Sequence, residues 1–139
     1  MIVRDESPYH QELSEFRVAY SKAGSITSLV LVLLGSGLDL AVYPGRFGQF
    51  LLVRIGVALL TLVIFLSLYT DRGRASVRSL TLLWLALPQI MIAWMIAVTT
   101  GEHSVYFVGL HLALYAAGII LPITFLEGVG FGLFTYLVY

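Results

Sequence analysis

Residues 48–69 read GQFLLVRIGVALLTLVIFLSLY, twenty-two positions with one charge, Arg54. A run this long and this apolar covers the ~30 Å of hydrocarbon that about 20 helical residues cross. Neither alternation nor a one-sided stripe interrupts it, so both a half-buried strand and a surface helix are poor readings. The segment decides the fold class: a helix whose whole circumference is apolar belongs in lipid or in a large core.

Similar runs lie on either side. Upstream, SITSLVLVLLGSGLDLAVY (25–43) carries only Asp39, and PGRFG joins it to the central run. Downstream, a polar stretch TDRGRASVRS (70–79) leads to 80–99, which contains Pro88, Gln89 and Trp94. The turn TTGEHS precedes 105–125, which contains His111 and closes near Pro122. After Glu127 and Gly128 a shorter run, VGFGLFTYLVY (129–139), begins. The expected fold is an all-α, polytopic transmembrane bundle of four full spans plus a truncated fifth. Short connections imply antiparallel neighbours in chain order. The last run is about half a crossing, which reads as the start of a span in a longer polypeptide.

Composition agrees. Of 139 residues, 59% are apolar and 12% charged, with mean hydropathy +0.93. Soluble domains carry about 25% charged residues. The formal net charge of zero argues against a nucleic-acid partner. The absence of cysteine removes disulfides, thiolate metal sites and thiol nucleophiles.

The N-terminal segment, 1–23, lacks the basic-then-apolar order of a cleaved signal peptide. Ser7-Pro8 reads as a helix start. Tyr9, Leu13, Phe16 and Tyr20 then recur in steps of three and four, marking a separate amphipathic helix over 8–22. The transmembrane domain is expected over 24–139. Arg4, Arg17, Lys22, Arg72, Arg74 and Arg78 share one side, and Arg46 stands on the other. This asymmetry places the N-terminus in the cytoplasm and the protein in the cell inner membrane.

Ionisable groups inside spans are functional candidates because they are costly there. Asp39, Arg54 and His111 are such groups, and at ~1.5 Å rise per residue all lie roughly 6–9 Å below the outer boundary. Trp94 joins that layer. One reading is a ligand-binding polar pocket open to the outer face and lined by Asp39, Arg54, Trp94 and His111. The other is structural: Arg54 neutralises Asp39 or snorkels to the headgroups, and His111 makes an interhelical hydrogen bond. The histidines lack metal-site spacing. No cofactor is expected, although contact with haem, pigment or quinone stays open. Gly109, Ala113 and Ala117, with the pair Gly128 and Gly132, mark faces for close helix packing. Pro88 beside Gln89 marks a kink.

No nucleophile–base pair, phosphate loop or paired catalytic carboxylates occur, so the chain itself does not read as an enzyme. From Asp39 to Tyr139 it resembles the six-helix membrane sensor regions that precede histidine-kinase, adenylate-cyclase or diguanylate-cyclase domains in bacterial signalling proteins. The resemblance rests on YPGRFGQFLLVRIGVALL, with an arginine early in span two, on the basic loop, and on YFVGLHLALYAAGIILP. It implies a sensory and dimerisation module, partnered by lipid and by a second copy. An accessory subunit of a respiratory or photosynthetic assembly is the alternative, and a small transporter or channel a weaker one.

Overall fold

The computed structural model describes residues 8–99, 103–111 and 125–138, with side chains from Glu15 onward. Every regular element among them is helical. Helix α1 (Pro8–Val42) is followed by a 3-10 turn (Pro44–Arg46), α2 (Phe47–Ser67), the short α3 (Asp71–Ala75) and α4 (Val77–Ala97). Residues 106–111 are helical, and α5 runs from Phe125 to Val138. Among the described residues, three stretches are long and apolar enough to cross a membrane: Glu15–Val42, Pro44–Ser67 and Val77–Ala97.

Three expectations are corrected. Residues 8–22 are not a helix of their own; they are the first turns of α1, a continuous helix of 35 residues. No proline or glycine occurs between Pro8 and Gly24 to break it. The basic stretch 70–79 is not all loop either. Thr70 is extended and its Oγ1 accepts a hydrogen bond from Gly73 N at 3.1 Å, which caps α3. Helix α4 then starts at Val77, earlier than residue 80. Only a glycine suits position 73, because a Cβ there would lie 1.8 Å from the Ser67 carbonyl oxygen. Finally, the helix described over Phe125–Val138 already includes residues 125–128, ahead of the expected start at residue 129.

Helix α4 continues through Pro88. The 105–125 span is described only at its two ends, so Ala113 and Ala117 lie outside the described residues. A Cβ on Gly109 would make only an ordinary contact with Ile92 Cδ1 at 3.9 Å, and one on Gly132 would meet nothing within 4 Å. Among the described residues, neither glycine meets another helix at close range. The close approaches fall at Gly24 and Gly35 on α1, where an added Cβ would lie 2.7 Å from the Trp84 ring and 2.4 Å from Arg54 Nη1.

The bundle has two ends, the 44–46 turn and the arginine-rich turn around α3. Helices α1 and α4 run in parallel. Near the arginine-rich end, Ser21 Oγ accepts from Trp84 Nε1 at 3.0 Å and lies 2.9 Å from Thr81 Oγ1. Lys22 Nζ sits 3.7 Å above the Tyr69 ring centroid, a cation–π contact. Arg78 and Glu127 form an ion pair between the first turns of α4 and α5. One apolar cluster, with Val32, Phe50, Val57, Met91 and Met95, fills the other half. A second, with Ile64, Trp84, Leu85 and Phe131, lies toward the arginine-rich end.

Candidate functional site

Helices α1 and α2 form a hairpin across the 44–46 turn. Asp39 precedes that turn and Arg54 follows it, so antiparallel packing brings them to one level. Arg54 Nε donates to Asp39 Oδ2 at 2.5 Å and Nη2 donates to Oδ1 at 2.8 Å. This is the side-on, bidentate geometry that suits a guanidinium and a carboxylate. The third guanidinium nitrogen, Nη1, donates to the Val32 carbonyl oxygen at 2.9 Å. That carbonyl belongs to the backbone of α1 and has a second lone pair to offer. Gly35 makes the space: its missing side chain is where the guanidinium lies.

Tyr106 completes the group. Its hydroxyl donates to Asp39 Oδ1 at 2.6 Å. Three segments therefore meet on one carboxylate. Asp39 has no exposed surface, and Arg54 and Tyr106 are buried. The carboxylate accepts three hydrogen bonds and its charge is matched, which is what burial of an ion in low dielectric requires.

Aromatic rings cover the group on the side of the 44–46 turn. Tyr43 stands four residues after Asp39, just past the end of α1, and Phe50 four residues before Arg54 on the same face of α2. The Phe50 ring meets Tyr43, Trp94 and Tyr106 edge-on, with centroids 6.2, 6.0 and 5.8 Å away. Tyr43 and Tyr106 are 5.6 Å apart. Each such contact contributes about 0.5–1.5 kcal/mol beyond its buried area.

The expected layer is thus present in part. Asp39 and Arg54 pair directly. Trp94 reaches the layer as one wall of the aromatic cover. His111 does not join: it is exposed, its Nδ1 lies 3.0 Å from the Phe107 carbonyl oxygen on its own helix, and its ring packs on Phe107. The layer is also closed, since the carboxylate is fully covered, whereas an open pocket was one expectation. Tyr106, Gly35, Phe50 and Tyr43 complete the site, and none of them was expected there. A tyrosine at the head of a span reads as an interfacial anchor, which hides Tyr106. The four-residue spacing of Tyr43 and Phe50 from the two charges was the available signal.

Gln89 lies on α4 beside Pro88. It is buried, and among the described residues neither its Oε1 nor its Nε2 has a hydrogen-bond partner. The Thr61 hydroxyl on α2 is buried and unpartnered as well. Such groups are uncommon in native interiors.

Residues 37–139 match the model of one protein family, MASE8, a membrane-associated sensor domain. The matched stretch includes Asp39, Arg54 and Tyr106 and leaves out most of α1. No curated protein and no solved structure matches the chain.

Proposed function

This chain belongs to the MASE8 family of membrane-associated sensor domains, and from that premise we propose that it is the sensory and dimerisation module of a bacterial signalling protein, non-catalytic in itself. The observation that carries the reading is the buried Asp39–Arg54–Tyr106 group. It ties α1, α2 and the segment beginning at Tyr106 to one carboxylate. Loss of any one tie leaves a buried charge or donor unmatched, so the helices hold together or shift together. In this reading the group is the element that a stimulus has to shift. A stimulus acts by favouring one packing of these helices over another through a difference in affinity for the two.

The topology we propose has four full crossings and the start of a fifth, in the inner membrane, with the N-terminus in the cytoplasm. Two contacts support it. The Arg78–Glu127 pair brings the starts of α4 and α5 to one end of the bundle. Tyr106 meets Asp39 near the other end, so the chain has to return between them. The lysine and arginine asymmetry supports the orientation.

The test is a chimaera in which the chain is joined to a cyclase reporter in bacterial membranes. Asp39→Asn and Tyr106→Phe are expected to shift reporter output several-fold at equal membrane abundance. Leu52→Ala, on an exposed face of α2, is expected to leave it unchanged. Equal output from all three variants would sink the sensory reading.

A further inference from the structure

Helices α2 and α4 run antiparallel, and three residue pairs set their levels. Phe50 meets the Trp94 ring edge-on. Val57 and Met91 share one apolar cluster, and Ile64 and Trp84 share the other. Thr61 stands between Val57 and Ile64 on the buried stripe of α2. It is therefore level with the stretch of α4 between Trp84 and Met91. Pro88 holds the matching place there, four residues after Trp84 and three before Met91.

Two complementary groups lack partners at that level. Thr61 has no exposed surface, and its hydroxyl has no hydrogen-bond partner among the described residues. By contrast, Thr81, Thr99 and Thr135 each donate to the carbonyl four residues back. Thr61 makes no such bond to Val57. On the facing helix Pro88 has no N–H, so the Trp84 carbonyl loses the donor that an uninterrupted α-helix brings it. In membrane helices such freed carbonyls are met by Ser or Thr side chains and by neighbouring helices. Thr61 is placed to do this, and the bond is not made. Gln89, the next residue, is buried with its amide unpartnered as well. The polar atoms of Thr61 and Gln89 are fully enclosed, which leaves no space beside them for a bridging water or a ligand atom. A partner has to come from a movement of the helices.

The two halves of α4 are held separately. On the arginine-rich side of Pro88, Trp84 Nε1 and Thr81 Oγ1 are tied to Ser21 of α1, and Arg78 pairs with Glu127. On the other side, Trp94 packs on Phe50 of α2. Proline is a usual place for a helix to bend, and here it is the joint between two anchored halves. Thr61 also shares the buried stripe of α2 with Arg54, about 10 Å along an unbroken helix. A shift of the Asp39–Arg54–Tyr106 group carries Thr61 with it.

We propose that α4 hinges at Pro88 between this packing and a second one, in which the Thr61 hydroxyl donates to the Trp84 carbonyl. The ties to Ser21 and Phe50 offset the unmet bonds in the first state. The new bond offsets their loosening in the second. Two packings that each forgo something lie close in free energy, which is what a stimulus needs in order to bias them. The inference names the moving joint of the sensor proposed above. Its use in sensing rests on that reading; the hinge itself does not.

The chain has no cysteine, so nitroxide labels can be placed at Ser79→Cys and Ala97→Cys, both exposed on α4. They read its bend across about 27 Å. In membranes the parent is expected to show two distances. Thr61→Val, which exchanges only the hydroxyl for a methyl, is expected to lower the second population about fivefold, the weight of one hydrogen bond. Thr61→Ser is expected to keep both distances. Pro88→Ala gives the Trp84 carbonyl a donor within α4, so it should leave one distance and make Thr61→Val without further effect. A single distance in the parent, or two populations indifferent to Thr61→Val, overturns the hinge. So does a Thr61→Val effect that persists undiminished beside Pro88→Ala, because the hydroxyl then has another partner. The same variants in the reporter chimaera separate the two readings. Distances that respond while output stays constant keep the hinge and sink its use in sensing.

Discussion

At the level of single residues, Asp39 and Arg54 are each other's condition for being buried. Removing one partner leaves an uncompensated charge, a loss of about 3–5 kcal/mol. Removing both leaves only the Tyr106 hydroxyl and the Val32 carbonyl less well matched. Arg54→Leu and Asp39→Asn should each lower thermal stability in detergent sharply. The double variant should cost clearly less than the sum, with a coupling energy of about 0.5–3 kcal/mol. Additive losses would show that the two side chains do not act as a pair. Gln89 is the opposite case. Its buried amide has no partner, so Gln89→Leu, of similar volume, removes a desolvation cost and no hydrogen bond. We expect a gain of about 1 kcal/mol; a comparable loss, read from the melting temperature, would mean that the amide has a partner in the membrane. The two charges were legible in the sequence because a lone ionisable group in an apolar run is conspicuous. His111 stands out in the same way yet turns aside. Its depth follows from counting residues, but its direction depends on helical phase. Tyr106 and His111 are five residues apart, about 140° around a helix at 3.6 residues per turn. Only one of them can face Asp39.

Among elements, the α1–α2 hairpin depends on a glycine. Arg54 occupies the space that a side chain at Gly35 would fill. Gly35→Ala should push the guanidinium from the carboxylate or part the two helices. Either result costs more than the 0.5–1 kcal/mol that alanine returns in helix propensity. Gly56→Ala, where an added Cβ meets nothing within 4 Å, should keep that gain. Melting curves of the two variants in the same detergent should move in opposite directions, and parallel shifts would contradict the packing. The glycines that sequence spacing singled out, Gly109 and Gly132, make no such approach among the described residues. A GxxxG pattern states that a helix can come close; it does not state to what. The helix over 8–22 shows the same limit. Its apolar steps were legible, but a stripe does not reveal whether the next span is separate or a continuation. That depends on whether anything breaks the backbone at 21–25. Gly24 alone does not, because it is held against the Trp84 ring.

For the whole molecule, the open question of topology reduces to which residues share a side. Three points meet here: the expected place of Arg46 alone on one side, that of the turn around α3 on the other, and the start of α5 found beside α4. The ion pair of Arg78 with Glu127 gives the third a physical basis, because each side chain reaches only a few ångströms from its helix. Helix α4 leaves that end and terminates at Ala97, 21 residues on. At about 1.5 Å per residue that is about 30 Å, a full bilayer core. On the topology we propose, the chain crosses once more before it is back beside Arg78 at residue 127. Single cysteines in the cysteine-free parent make this measurable with a membrane-impermeant maleimide. Arg74→Cys and Leu126→Cys should label together from the cytoplasmic side, in inverted vesicles. Arg46→Cys should label only from intact cells whose outer membrane is opened. Position 126 is exposed in the bundle, so absence of labelling from both sides would mean that it sits in lipid, beside the first turns of α4. Labelling of position 126 together with position 46 would remove the fourth crossing. It would also separate Glu127 from Arg78, so the Arg78→Ala variant would then leave α5 unaffected. With the expected pattern, that variant instead raises the proteolytic sensitivity of the 125–138 helix, and the two measurements constrain each other.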